Sequence, residues 1–224
     1  MAEPVLLRMD MHSHTRASFD CLCPPERVLE TARARGIDRL VVTDHNEVSA
    51  ALELHRMDPD RILVGEEVKT REGADVIGIL LTERIPMGTP ARETCERIRA
   101  QGGVVYLPHP FDTRRSGGGH LLERIGDLVD VVEAHNARTW KRGVNLRGER
   151  WALDHGKLLG AGSDSHTLGE MGRAWVEVPP FAPTREGLLA ALRAGRIGGR
   201  GVSSPLVAVA STYAKAHKLL RRGR

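Results

Sequence analysis

The chain has 224 residues, 41% of them hydrophobic and only 4% aromatic, which is enough for one well-filled core built mostly from Leu, Val, Ile and Ala. The formal net charge of +4 hides an asymmetry, because no Asp or Glu follows Glu186 while the last 38 residues hold eight Lys and Arg. Three cysteines (Cys21, Cys23, Cys95) argue against a disulfide framework, and the lack of a long apolar run or a basic-then-apolar leader predicts a cytoplasmic protein with no membrane partner.

Val5-Leu6-Leu7 reads as a short buried strand, and Asp10-Met11-His12-Ser13-His14 follows where that strand gives way to a loop. Residues i and i+2 of extended chain face the same way, so His12 and His14 aim two imidazoles at one point, which suggests a metal. Pro24-Pro25-Glu26-Arg27 opens a helix that carries Val28, Leu29 and Ala32 and stops at Gly36. The strand from Leu40 to Thr43 completes a β-α-β unit and delivers Asp44-His45. Between Ile62 and Leu81 two apolar runs are separated by Arg71-Glu72-Gly73-Ala74, a turn, so this stretch predicts a hairpin or short crossover that carries Glu66-Glu67. Thr89-Pro90 starts a helix ending at Gly102-Gly103, and the strand Val104 to Leu107 then leads to Pro108-His109-Pro110.

Ser116-Gly117-Gly118-Gly119 marks a flexible loop beside His109 that could cover a substrate. A strand from Val129 to Glu133, a helix from about Trp140 to His155 and a strand from Leu158 to Ala161 lead to Ser163-Asp164-Ser165-His166. A strand from Ala174 to Val178 and a helix from Thr184 to Ala194 follow. Ala214 to Arg222 could form a short basic helix that attracts phosphate polymers, although a solvated or frayed end is the simpler reading. The whole of 1–224 is expected to be one domain, with a basic C-terminal segment at about 203–224.

Five times an apolar run ends and a His, Asp or Glu appears at once. Strands alternating with helices, with ligand-type residues at the strands' carboxyl ends, describe an α/β barrel whose active face gathers residues from the whole chain. The hairpin argues against a perfect eightfold barrel.

The order D-x-H-x-H, T-D-H, a Glu after a third strand, H-P and G-S-D-x-H resembles the PHP superfamily, named for polymerase and histidinol phosphatase. The segments 65–70, 108–112 and 132–138 are similar to those of its small stand-alone metal-dependent phosphoesterases. The resemblance implies a distorted (β/α) barrel, usually seven-stranded, with two or three divalent ions (Mn, Fe or Zn). It implies His12, His14, Glu67 and Asp164 around a first ion, with Glu67 bridging to another. Asp20, His45 and His166 are implied for the second ion and His109 for a third. Where many members carry a histidine after the hairpin turn, this chain has Asp75, which could still bind a hard cation.

Mixed imidazole and carboxylate ligands suit Mn, Fe or Zn, and paired ions polarise a phosphoryl group and lower the pKa of a bound water. The expected reaction is attack by a metal-bound hydroxide on the phosphorus of a small phosphorylated metabolite or nucleotide, with Glu67, Asp164 and His166 catalytic. Asp10 and Asp44 more simply orient histidines or cap loops. Arg16, Lys69, Arg114, Arg115 and Arg138 lie within a few residues of the expected ligands and could hold phosphate, with surface salt bridges an equal alternative, and His135 could line the pocket. Two other functions stay open: a nuclease trimming oligonucleotides, supported by the basic C-terminus through weak nucleic-acid contact, and a metal-stabilised interaction module without catalysis. Amide hydrolysis ranks below both.

Overall fold

The computed structural model describes residues 5–222. In chain order the elements are β1 (Leu7–Ser13), α1 (Pro25–Ala34), β2 (Arg39–Val42), α2 (Ser49–Met57), β3 (Ile62–Lys69), β4 (Asp75–Ile79), α3 (Ala91–Ala100), β5 (Val104–Leu107), α4 (Leu122–Ile125), β6 (Val131–Asn136), α5 (Arg142–Asp154), β7 (Leu158–Gly162), β8 (Ala174–Val178), α6 (Arg185–Ala194), β9 (Arg196–Arg200) and α7 (Val207–Arg222). The sheet order is β7-β6-β5-β4-β3-β2-β1-β8-β9. Neighbours from β1 to β7 pair in parallel except at β4, which runs antiparallel to β3 and β5.

The first seven strands curl until their ends meet. Ser13 bridges Ser165, the Asp164 N–H donates to the His12 carbonyl at 2.7 Å, and the His14 N–H donates to the Ser165 carbonyl at 3.0 Å. The fold is thus the distorted α/β barrel expected, while the expected count of seven strands is corrected to nine for the sheet. The reason is that one edge of β1 is divided. Its first half pairs with β8, matching Leu7 to Val178 and Met9 to Val176, and only its last residues are left to close the ring.

The hairpin between Ile62 and Leu81 is present, with five β3 to β4 pairs from Gly65–Ile79 to Lys69–Asp75. β1 runs on through His12 to Ser13 instead of ending before the histidine motif, and Leu7, Met9 and Met11 alternate along it, with both methionines buried in the core. The glycine loop is packed rather than open. A Cβ at Gly117 would sit 2.7 Å from the Pro110 carbonyl oxygen, and residues 118–121 form a 3-10 turn.

Period-two alternation sorts the strands into two faces. Leu40, Val42, Ile62 and Val64 pack outward on Val28, Leu29, Leu54 and Ile98 of the covering helices. Val41, Leu63, Ile77, Val104, Tyr106 and Val131 form the other cluster. Tyr106 is fully buried there and fits because its neighbour is Gly160, whose Cβ would lie 2.5 Å from the ring. Among the described residues no helix is long and apolar enough to cross a membrane.

Gly162 sits at the closing seam, where a Cβ would meet the His12 Cβ at 2.3 Å and the His12 backbone nitrogen at 2.8 Å. Gly162→Ala is expected to lower unfolding stability by about 1 to 3 kcal/mol, as overpacking does. Urea denaturation reads this directly, and an unchanged midpoint would mean the seam has slack.

Candidate metal centre

Five strand ends bring most of the expected ligands together, and Asp20 comes from the loop after β1. β1 carries His12 and, one residue beyond it, His14; β2 leads to His45, β3 carries Glu67, β5 leads to His109, and β7 leads to Asp164 and His166. Three sets of donor atoms lie within 4.8 Å of one another: His12, His14 and Asp164; His12, Glu67 and His109; and His14, His45 and His166. Glu67 is the hub. Its Oε2 lies 3.4 Å from Nε2 of both His12 and His14 and 3.1 Å from His45 Nδ1, while Oε1 lies 3.2 Å from His109 Nε2. Asp164 Oδ1 is 3.3 Å from His14 Nε2, and Asp20 Oδ1 is 3.2 Å from His166 Nε2 and 3.6 Å from His45 Nε2. His109 and Asp164 both have positive φ, 28° and 51°, a backbone cost that concentrates at functional sites.

The hydrogen bonds behind the ligands decide which nitrogen faces the centre. His12 Nδ1 donates to Glu133 Oε1 at 3.1 Å, so its proton is held there and the Nε2 lone pair points inward. Ser18 Oγ donates to Asp44 at 2.6 Å and therefore accepts from His14 Nδ1 at 3.0 Å, which frees His14 Nε2 in the same way. The two freed nitrogens are 3.1 Å apart. Two lone pairs at that distance repel unless a proton or a metal cation is shared between them, and an N and O donor set of this kind suits a divalent transition metal. The residues present therefore fit a metal. Asp44 also accepts from Thr15, and Asp10 accepts from the backbone N–H groups of Ser163 and Gly172, so both act as orienting and capping carboxylates.

Proton occupancy follows the same geometry. Burial pulls the His12 imidazole down, but Asp164, Glu133 and Glu67 override it and hold His12 well above the ordinary value. Burial, with His166 and His45 beside it, pushes His14 down to about 3. Without a metal the pair thus keeps one proton, on His12. Burial also opposes the charge on Glu67 and Asp164. The neighbouring histidines nonetheless hold both well below the usual carboxylate range, with Arg115 helping at Asp164. His45 is raised to about 9 because Glu67 and Asp20 outweigh its burial.

A cavity of about 260 Å³ opens over the centre, and Lys69, Arg114, Arg115 and Arg138 line it as expected. Their engagement differs. Arg115 pairs with Asp164 and donates to Asn136 and Thr139, each at 3.0 Å. Arg138 lies 2.8 Å from His166 Nδ1, 3.2 Å from Glu170 and 2.9 Å from Ser211. Arg114 stacks over Trp140, 4.6 Å from the ring centroid, beside Asp112. Asp75 lines the cavity but pairs with Lys69 at 2.7 Å and belongs to none of the three donor sets.

Two of the expected substrate-binding residues fall outside the cavity. Arg16 faces Glu26 at 4.0 Å with more than half its side chain exposed. His135 is bonded to the Gly201 carbonyl at 3.0 Å, because a register shift in β6 between Glu133 and His135 turns it away from the face that Glu133 occupies. Glu133, Ser18, Phe19 and Lys215 were not legible as site residues from spacing. Glu133 had one usable signal, an acidic residue inside an apolar strand. Cys21 and Cys23 bind no ligand set; both thiols donate to the His166 carbonyl, at 3.2 and 3.5 Å.

The family model for the PHP domain matches residues 10–94, and one described as PHP-associated matches residues 143–197. Two uncharacterized proteins of Methanocaldococcus jannaschii are similar. MJ1587 is 33% identical over 145 residues (58% of this chain, 82% of that protein), and MJ0417 is 32% identical over 176 residues (76% and 70%). Among solved structures, PsfC from Pseudomonas syringae superposes with TM-score 0.68 at 17% identity, covering 94% of this chain and 98% of its own. A protein assigned as a metal-dependent phosphoesterase from Bifidobacterium adolescentis gives 0.58 at 18% (75% and 90%). The lesion-specific endonuclease EndoQ from Pyrococcus furiosus gives 0.62 at 16% (86% and 58%). At these identities the three structures share the fold with this chain.

Metal binding must expel the proton that His45 holds below about 9 and the one His12 holds above its ordinary value. Apparent affinity for manganese is therefore expected to rise with pH through neutrality and to level off only above about 9. Calorimetric titrations in buffers of different ionisation heat would count the released protons, and a flat pH profile would contradict this arrangement.

Proposed function

The chain belongs to the PHP family, and on that premise we propose that it is a metal-dependent phosphoesterase acting on a small phosphorylated metabolite or nucleotide. The observation that carries the reading is Glu67, whose two oxygens face different histidines in the manner of a carboxylate that bridges two ions. His12, His14 and Asp164 would hold one ion with it, and His45, His166 and Asp20 a second. His109 would serve a third, whose occupancy is weakened by the engagement of Asp75 with Lys69. Bound divalent ions would polarise the phosphoryl group and acidify water at neutral pH.

The remaining chemistry falls to side chains. Lys69 and Arg114 border the cavity and supply positive charge to phosphoryl oxygens. Arg115, anchored on Asp164 at the cavity wall, would meet a bound phosphoryl group without needing to reorient, as electrostatic preorganisation requires. Asp164 and His166, which both line the cavity, are assigned the proton transfers. Glu133 positions His12 and, through the His109 N–H at 2.7 Å, also the loop that carries His109. A cavity of this volume takes a small ester, and the basic C-terminal segment, through Lys215 and Lys218, turns partly inward.

Phosphate release by manganese-loaded protein across phosphomonoesters, bisphosphates and short oligonucleotides tests the proposal. His12→Ala and Asp164→Asn are expected to lower turnover roughly 100-fold or more, and Glu133→Gln to weaken metal affinity roughly 10- to 100-fold. Preference for oligonucleotides would turn the reading to a nuclease. Metal bound under manganese, zinc and iron with no turnover of any ester would turn it to the non-catalytic module.

A further inference from the structure

Composition leaves the C-terminal segment as a solvated end or a polyanion-binding arm, but α7 packs against the metal centre. Ser211, Lys215 and Lys218, at helical spacings of four and three, share the face that does so. Ser211 Oγ accepts from Arg138 at 2.9 Å, Lys218 Nζ donates to the Arg16 carbonyl at 2.5 Å and to that of Ser18, and Ala214 is only 2% exposed. Both family models end before this helix, at residues 94 and 197.

Lys215 stands at the cavity rim. Its Nζ lies 5.1 Å from the centroid of Phe19 and 3.9 Å from Asp20 Oδ2, and its side chain is 48% exposed. The other cations of the cavity are engaged more closely. Lys69 meets Asp75 at 2.7 Å, Arg114 lies 3.4 Å from Asp112, Arg115 pairs with Asp164, and Arg138 is held by Glu170, His166 and Ser211. Asp20 is too far from Lys215 for a hydrogen bond, and its nearer partners are His45 and His166. The Lys215 ammonium, on a flexible four-carbon stem over an aromatic face, is therefore placed to meet an anion entering the cavity.

The metal centre would hold the phosphoryl group that is cleaved, so the rim cation is left for something else. We propose that Lys215 is a specificity-determining residue that binds a second anionic group, a carboxylate or phosphate, carried by the substrate beyond its reacting phosphoryl group. The proposal rests on the phosphoesterase reading for where that phosphoryl group sits. Its test reads binding, so that the two can fail separately.

The full manganese-loaded chain would be titrated with n-propylphosphonate and with 3-phosphonopropionate, two unhydrolysable probes that differ by one carboxylate. The carboxylate is expected to tighten binding about tenfold in the native protein. Lys215→Met keeps the aliphatic stem over Phe19 and is expected to erase that advantage while leaving n-propylphosphonate within about twofold; Lys215→Arg should retain most of it. Equal affinity for the two probes in the native protein, or a Lys215→Met loss shared equally by both, overturns the proposal. If neither probe binds the metal-loaded protein, the phosphoryl site itself falls and the proposal with it. A Lys215-dependent preference without turnover of any ester sinks only the hydrolytic reading.

Discussion

Imidazole lone pairs and carboxylates crowded at the end of a barrel need positive charge between them, and the rest of this structure answers that constraint. His12 Nε2 and His14 Nε2 face each other at 3.1 Å because the opposite nitrogen of each ring is committed, one to Glu133 and the other to Ser18. The arrangement is costly as a set of bare donors and becomes favourable when a cation is shared. The orienting shell, with Glu133, Ser18, Asp44 and Asp10 all buried, serves to hold the donors in that costly geometry.

Such a shell requires a rigid frame, and the closing seam of the barrel provides it. β1 and the segment after β7 join through Ser13 and Ser165 just where His12, His14, Asp164 and His166 leave the strands. Gly162 allows the backbones to approach, and β8 occupies the part of the β1 edge that the seam leaves open. The positive φ of Asp164 and His109 is then held by packing on both sides, which fixes their side chains over the cavity. α7 completes the wall from outside, so the environment of the centre includes a segment at the far end of the chain from the first ligands.

Legibility in the sequence followed chemical rarity. His12, His14, His45, His109 and His166 stood out because each follows a strand-like run, and the structure brings all five to one rim. The hairpin was readable because a turn without a helix admits only an antiparallel partner. β9 and the full length of α7 were less so: Ile197 is the one large apolar residue of β9, and the inward face of α7 meets the segment around Ser18, distant in sequence. Cationic residues were the hardest to sort. Arg115 and Arg16 look alike by spacing, yet one is tied to Asp164 and the other faces Glu26.

What the sequence determined by itself is therefore the fold class and a short set of candidate metal donors, because periodicity sets which way a strand residue faces and five histidines each follow a strand-like run. Tertiary structure alone decided which nitrogen of each histidine is free and that a register shift turns His135 away. It also decided that Lys215 reaches the cavity from α7. Those outcomes depend on distances of a few ångströms between segments far apart in the chain, as Ser18 and Lys218 are at 200 residues, and no local pattern encodes them.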